Sequence, residues 1–283
     1  MTDLAARHDD FAALHRSGCF VIPNPWDAGS ARMMAALGAK ALATTSAGFA
    51  FTKGRPDMGG VSRDEALAHA ADILAATPLP VSADFENGFA DDAEGVAETI
   101  RLGGEVGLSG CSVEDTSMVE GHVPYEFELA VERIRAAASA ARSLSRPFVL
   151  CARADGIMNG HYDIEEAIRR IRAFEAAGAD LLYVPVPASL EDLKRIVGSV
   201  SLPVNALAAG PYARFKKSDF AEIGIRRISV GSAIARLAHA AILRASRAAL
   251  DEGDFAPLLE AAKGATIDDL LARGAGTTPG HSG

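Results

Sequence analysis

Eight short apolar runs rich in β-formers alternate with helical patterns along almost the whole chain, and no other feature limits its fold so tightly. The runs are Cys19–Pro23, Ala41–Ala47, Pro80–Glu86, Gly110–Asp115, Phe148–Asp155, Asp180–Val186, Pro203–Leu207 and Arg227–Gly231. Apolar residues recur at helical spacing in Ala28–Leu37, Arg63–Ala76, Ala93–Leu102, Glu126–Ala141, Ile164–Ala177, Leu190–Val197, Ser218–Ile223 and Ala233–Leu250. Asp163 and Ser189 stand where helix caps belong, and Gly38 and Gly178 where helices end. Strands separated by helices pair in parallel through crossovers. Eight such units within about 250 residues predict an α/β fold, a closed (β/α)8 TIM-type barrel in preference to an open doubly wound sheet. No linker or composition break divides the chain, so residues 1–274 read as one barrel domain and Ala275–Gly283 as a disordered tail.

Composition narrows the function. With 49% apolar and 23% charged residues the chain can bury a core, which excludes global disorder. A net charge of −9 argues against nucleic acid and anionic membranes as partners. The N-terminal stretch MTDLAARHDDFAALHRSG is polar and unlike a signal peptide, and no apolar run approaches a membrane span. Cys19, Cys111 and Cys151 are odd in number, lack metal spacing and sit in apolar stretches, as reduced core cysteines do. A cytoplasmic protein is expected.

In such a barrel, chemistry collects where strands end and βα loops begin. Asp84 and Glu86 lie two apart on the third run and share a face with Ser82, while Val81, Ala83 and Phe85 face the helices. Glu114 ends the next run. Three carboxylates at neighbouring strand ends repel one another unless a cation lies between them. Their oxygen donors, without histidine or cysteine, favour Mg²⁺ or Mn²⁺ over zinc. The alternative is that they are separate solvated charges or helix caps.

Arg153 closes the buried run Phe148-Val-Leu-Cys-Ala and needs an anion there. It is either the fork for a substrate carboxylate or phosphoryl group, or the partner of Asp155 or Glu114. Ser46, Ala47 and Gly48 are small enough at the end of the second run for backbone N–H groups to approach a ligand. Tyr183 and Asn205 stand on the sixth and seventh runs. Ile228-Ser-Val-Gly-Ser232 sits where many barrels bind phosphate, or simply packs tightly. Two polar loops complete the set: Phe51–Gly60, holding Asp57, and Ser117–Tyr125, in which Glu120, His122 and Tyr125 are acid/base candidates around a hinge at Gly121. The chain has no strand-end lysine, no G-x-S-x-G elbow and no Walker loop.

The ordered text Asn24-Pro-Trp-Asp-Ala-Gly-Ser-Ala-Arg32, Thr44-Thr-Ser-Ala-Gly48, Gly54-Arg-Pro-Asp57, Leu79-Pro-Val-Ser-Ala-Asp-Phe-Glu-Asn-Gly88, Val113-Glu-Asp115 and Ala152-Arg-Ala-Asp155 resembles the isocitrate lyase/phosphoenolpyruvate mutase superfamily, from about Phe20 to Gly231. The resemblance implies a (β/α)8 barrel, often with its eighth helix swapped between subunits of a homodimer or homotetramer. It implies Mg²⁺ and small 2-oxo or 2-hydroxy carboxylates, with C–C or P–C bonds made or broken beside an enolate. By position, Asp84 matches the main metal ligand. Glu86 stands where the family usually has aspartate, and Glu114 matches a third, often water-mediated carboxylate. Asp57 matches the acid near the metal waters. Ser46–Gly48 match the substrate's backbone cradle, with alanine at position 47 where glycine is common. Arg153 matches the substrate-binding arginine, and Asn205 a polar residue of several lyases. The family's K-K-C-G-H loop is replaced by Thr116–Pro124, which keeps Gly121-His122 without the cysteine or lysines. That departure points to a less characterised subgroup.

The combined expectation is a Mg²⁺-dependent C–C lyase, or a decarboxylase or hydrolase, of a small di- or tricarboxylate. Arg153, Asp57, His122 and Glu120 are its catalytic candidates. The alternatives are a phosphonopyruvate-type mutase or hydrolase and a degenerate barrel that binds Mg²⁺ and a dicarboxylate without turnover.

Overall fold

Each apolar run supplies a strand, and the helix that follows carries the chain back to start the next one. The computed structural model describes residues 4–119 and 121–276. Its strands are β1 (Phe20–Ile22), β2 (Leu42–Ala43), β3 (Val81–Asp84), β4 (Gly110–Glu114), β5 (Val149–Arg153), β6 (Leu181–Tyr183), β7 (Val204–Leu207) and β8 (Arg227–Ser229). The helices are α1 (Leu4–Leu14), α2 (Ala28–Ala36), α3 (Ser46–Thr52), α4 (Arg63–Ala76), α5 (Ala93–Val106), α6 (Phe127–Ser143), α7 (Ile164–Ala177), α8 (Leu190–Gly198), α9 (Lys217–Glu222), α10 (Ala233–Arg247) and α11 (Gly264–Gly274). Asp27, Ser62, Asp92, Asp163 and Ser189 each accept a backbone N–H in the first turn of the following helix. Gly107 and Gly178 end α5 and α7 at φ 102° and 104°, a conformation that a side chain would strain.

The strands pair in parallel in the order β1-β8-β7-β6-β5-β4-β3-β2. The Ala43 N–H donates to the Pro23 carbonyl at 3.1 Å, bringing β2 against the end of β1. The result is the expected (β/α)8 barrel, nearly closed. Apolar residues of α4 to α9 pack on the outer faces of the strands, as Ile100, Ile134, Ile171, Phe174 and Phe220 do. No helix among the described residues is long and apolar enough to cross a membrane.

Three parts differ from the sequence reading. The first is α1, in a stretch read only as polar. Its Phe11 enters the barrel interior with Phe20, Val149, Cys151 and Leu181. A side chain at Gly110 would meet Phe11 at 3.1 Å, so α1 plugs the end where β4 begins and leaves the opposite end open.

The second is the end of β2. The run Ala41–Ala47 is a strand only over Leu42–Ala43, because Thr45 caps α3 by accepting the Gly48 N–H at 3.2 Å. Ser46, Ala47 and Gly48 are therefore the first turn of a helix. The two threonines before them read as strand-formers, but a threonine hydroxyl also caps.

The third is the C-terminal region. α10 exposes Leu237, Ile242 and Leu243, and Leu250, Phe255, Leu258 and Leu259 beyond it are exposed as well. α11 returns to α2, where a Cβ on Gly274 would fall 1.9 Å from the Arg32 carbonyl oxygen. Of the tail expected to be disordered, Ala275 and Gly276 form a turn and residues 277–283 lie outside the described residues.

Candidate active site

The open end of the barrel holds a cavity of about 160 Å³. Parallel pairing sets five of its side chains in one row. Glu114 lies opposite Arg153, Arg153 opposite Tyr183, Tyr183 opposite Asn205, and Asn205 opposite Arg227. Residues in register on neighbouring strands point to the same face, here the interior.

Arg153 is the centre of this row. Its Nη1 lies 2.9 Å from Asp84 Oδ1 and 2.8 Å from Glu114 Oε1, and its Nη2 lies 2.7 Å from Asp155 Oδ2. Asp155 is fully buried and Arg153 nearly so, and the guanidinium lies 5.1 Å from the centre of the Tyr183 ring. Asp84 also accepts the Ser46 N–H at 3.1 Å and the Ser46 hydroxyl at 2.9 Å on Oδ2, and the Ser112 hydroxyl at 3.3 Å on Oδ1.

Glu86 follows β3 at φ 47°, a left-handed conformation that costs a non-glycine residue about 1–2 kcal/mol. Two contacts hold it there: Glu114 N–H donates to its carbonyl at 2.8 Å, and Gly59 N–H donates to its Oε2 at 3.1 Å. The second contact draws the Asp57 loop over the mouth.

Burial and crowding raise the carboxylates. Desolvation, then Asp84, pushes Glu86 up to about 7. Desolvation raises Glu114 against the pull of Arg153, and it pushes Asp155 up to about 6. Asp57 is raised by desolvation and then by Asp84.

Asp57, Asp84, Glu86 and Glu114 face Arg153 and Arg227 around the cavity, an excess of negative charge. No histidine or cysteine lines it. Among the described residues, no group of three or more His, Cys, Asp and Glu side chains converges closely enough to hold a metal ion, and the Arg153 guanidinium is wedged between Asp84 and Glu114. The donor chemistry and the charge excess still suit a hard divalent cation, which favours carboxylate oxygens.

The remaining sequence candidates separate. Asp84, Glu86, Glu114, Asp57, Arg153, Ser46, Ala47, Tyr183 and Asn205 all line the cavity. Gly48 does not: it is buried behind Ser46 against Trp26. The cradle reading of Ser46–Gly48 changes with the helix, since the Ser46 and Gly48 N–H groups are taken by Asp84 and Thr45. The N–H groups of Val230 and Gly231, in the expected phosphate loop, both donate to Asn24 Oδ1.

His122 lies on the loop beyond β4, outside the cavity lining, with Nδ1 3.4 Å from the Ser117 carbonyl. Tyr125 is buried away from the cavity; burial pushes it up to about 12, so it stays protonated near neutral pH, and its hydroxyl donates to Asp91 at 2.5 Å. Glu120 lies outside the described residues.

Sequence reasoning passed over Arg227. It opens β8, 4% exposed, with Nε donating to Asn205 Oδ1 at 2.8 Å and Nη1 without a partner. A charged residue in an apolar run is the one sign that could have found it.

Comparison with known proteins agrees with this geometry. The family described as phosphoenolpyruvate phosphomutase matches residues 11–250. A 2-methylisocitrate lyase of Shewanella oneidensis is 30% identical over 226 residues, covering 76% of this chain and 75% of that one. An oxaloacetate decarboxylase of Paraburkholderia xenovorans is 29% identical over 231 residues, covering 78% and 73%. A solved structure from Burkholderia cenocepacia, described only as a lyase or mutase, superposes with a TM-score of 0.91 at 43% identity over 95% of this chain and 96% of that one.

Proposed function

Because the chain belongs to the phosphoenolpyruvate phosphomutase family, we propose that it is a divalent-metal-dependent carbon–carbon lyase, or a decarboxylase or hydrolase, acting on a small 2-oxo or 2-hydroxy di- or tricarboxylate. The observation that carries this reading is the pairing of a carboxylate cluster with two buried guanidiniums around one cavity of about 160 Å³, at the end of the barrel where catalytic loops gather. That volume suits an acid of a few carbons.

Asp84, Glu86 and Glu114 are the proposed holders of Mg²⁺ or Mn²⁺, with Asp57 beside them. A divalent cation held there supplies Lewis-acid neutralisation of the negative charge that forms beside the substrate carboxylate. Arg153 fixes a substrate carboxylate and stabilises the same developing charge from the other side. Ser46 and Ala47 on the first turn of α3, with Tyr183 and Asn205 from the inner row, orient the acid. Tyr125 is committed to Asp91, so His122 and Glu120 remain the candidate proton donors of the loop, to act when it closes over the mouth.

The degenerate reading has one observation in its favour, the Arg153 guanidinium already paired with Asp84 and Glu114. Thermal unfolding with Mg²⁺, with and without oxalate as an enolpyruvate mimic, tests the site. A ligand at about 100 times its Kd adds about 2.7 kcal/mol. A Mg²⁺-dependent rise followed by turnover of a 2-oxo or 2-hydroxy acid supports the lyase. A rise without turnover supports the degenerate barrel, consumption of phosphonopyruvate the P–C chemistry, and no rise overturns the site.

A further inference from the structure

Arg133, on α6 outside the barrel, is 1% exposed and forms no salt bridge among the described residues. A buried guanidinium without a carboxylate is costly, so the groups it meets matter. They are backbone carbonyls from the loop after β3 and from the last residue of β4. Nη2 donates to Asn87, the residue after Glu86, and to Ala90 at 2.9 Å, while Nη1 donates to the carbonyl of Glu114 itself at 3.3 Å. The planar fork thus bridges the loop that follows Glu86 and the peptide that follows Glu114.

Tyr125 completes the clamp. Its ring lies 3.8 Å under the guanidinium. Its hydroxyl accepts from Asn87 Nδ2 at 2.9 Å and donates to Asp91 at 2.5 Å, pinning the loop between β3 and α5 at both ends. Its own N–H donates to the Asp115 carbonyl at 2.8 Å, tying the clamp to the end of β4. Inside the barrel, the Glu114 N–H to Glu86 carbonyl bond joins the same two segments.

We propose that Arg133, braced by Tyr125, is a positioning residue: it fixes the backbone at Glu86 and Glu114 relative to one another, and joint binding of a divalent cation by the two carboxylates depends on that. This rests on reading those two acids as ligands. Neither residue touches the cavity, so the effect passes through the backbone.

The test is Mn²⁺ affinity, read from the electron paramagnetic resonance of the free ion, on the full chain and on Arg133→Met, Arg133→Lys and Tyr125→Phe. Phe220→Leu on α9, a core truncation far from this clamp, controls for general loss of stability. Groups that orient metal ligands typically change affinity 10- to 100-fold when lost. Arg133→Met should weaken Mn²⁺ by about that factor. Arg133→Lys, which keeps the charge without the fork, should fall between Met and wild type, and Tyr125→Phe should lose several-fold with folding intact. Phe220→Leu should bind as wild type. Wild-type affinity in both Arg133→Met and Tyr125→Phe overturns the proposal, as does an equal loss in Phe220→Leu. If Arg133→Met does not fold, Tyr125→Phe alone decides. A wild-type chain that does not bind Mn²⁺ overturns the underlying ligand reading too, whereas wild-type binding left intact by the variants overturns only the clamp.

Discussion

Arg153 and Glu114 face each other in register across β5 and β4, and the Arg153 Nη1 closes on the Glu114 Oε1 at 2.8 Å. Both side chains are nearly buried, so the pair holds the site together before any ligand arrives. Arg153→Met would leave Glu114 and Asp155 buried without their cation. Breaking a buried pair in this way costs about 3–5 kcal/mol. Urea unfolding should show a loss of that size for Met and a smaller one for Arg153→Lys. An unchanged midpoint would mean that the network contributes nothing to folding.

Asp84 collects Arg153, Ser46 and Ser112 on one carboxylate. Asp84→Ala should abolish the Mg²⁺-dependent thermal shift with oxalate while the protein still unfolds cooperatively. An oxalate affinity equal to that of wild type would remove Asp84 from the proposed site.

His15, in the turn just after α1, donates through Nδ1 to the Phe11 carbonyl at 2.8 Å, and its Nε2 is buried without a partner. Burial, then Arg227, lowers it to about 3. The native state therefore keeps His15 neutral, while the unfolded chain takes up a proton below about pH 6.5. Its contribution is fully present above pH 6.5 and is lost as pH falls towards 3. Between pH 7 and 5 this amounts to about 2 kcal/mol. In His15→Leu that part of the acid sensitivity should vanish, so the stability gap between variant and wild type should shift by about 2 kcal/mol across the interval. A constant gap in urea titrations at the two pH values would contradict it.

Gly48 has room for no side chain. A Cβ there would fall 2.6 Å from Thr45 Cγ2 and 3.0 Å from Trp26 Cβ. Gly48→Ala should cost about 1–3 kcal/mol, the usual penalty of overpacking. By shifting α3 it should also weaken oxalate binding through Ser46. Calorimetry of unfolding and of binding reads both effects.

Leu237, Ile242 and Leu243, exposed on different sides of α10, leave that helix with more uncovered apolar surface than a lone barrel needs. Sedimentation velocity should find a dimer or tetramer of the 29.4 kDa chain, and Leu243→Glu should reduce it to a smaller species. A wild-type monomer would show that this surface has another use.

The alternation of runs and helices was sufficient to predict the barrel, because parallel strands joined by helices have few ways to close. Asp84, Glu86, Glu114 and Arg153 were legible for the same reason: strand ends in a barrel converge, so a polar residue ending an apolar run is marked. Ser46 and Ala47 line the cavity as expected but with a different local structure, since Thr45 fits a strand and a cap equally well until its hydroxyl meets the Gly48 N–H. Tyr125 was misread because distance along the chain puts it in a mobile-looking loop, whereas packing commits its hydroxyl to Asp91.

By itself, then, the order of residues determined the fold class and the polar residues gathered around the cavity at the strand ends. Those follow from local periodicity and from the rule that strand ends meet. Only the tertiary structure decided which charges touch. The stagger of the strands puts Arg153 against Glu114 and Asp84, sets Arg227 beyond Asn205 in the same row, and brings Arg133 from an outer helix onto the carbonyls of Asn87 and Glu114. Such contacts join residues 19 to 69 positions apart, and no local pattern records them, because their energy depends on burial and register that exist only once the sheet has closed.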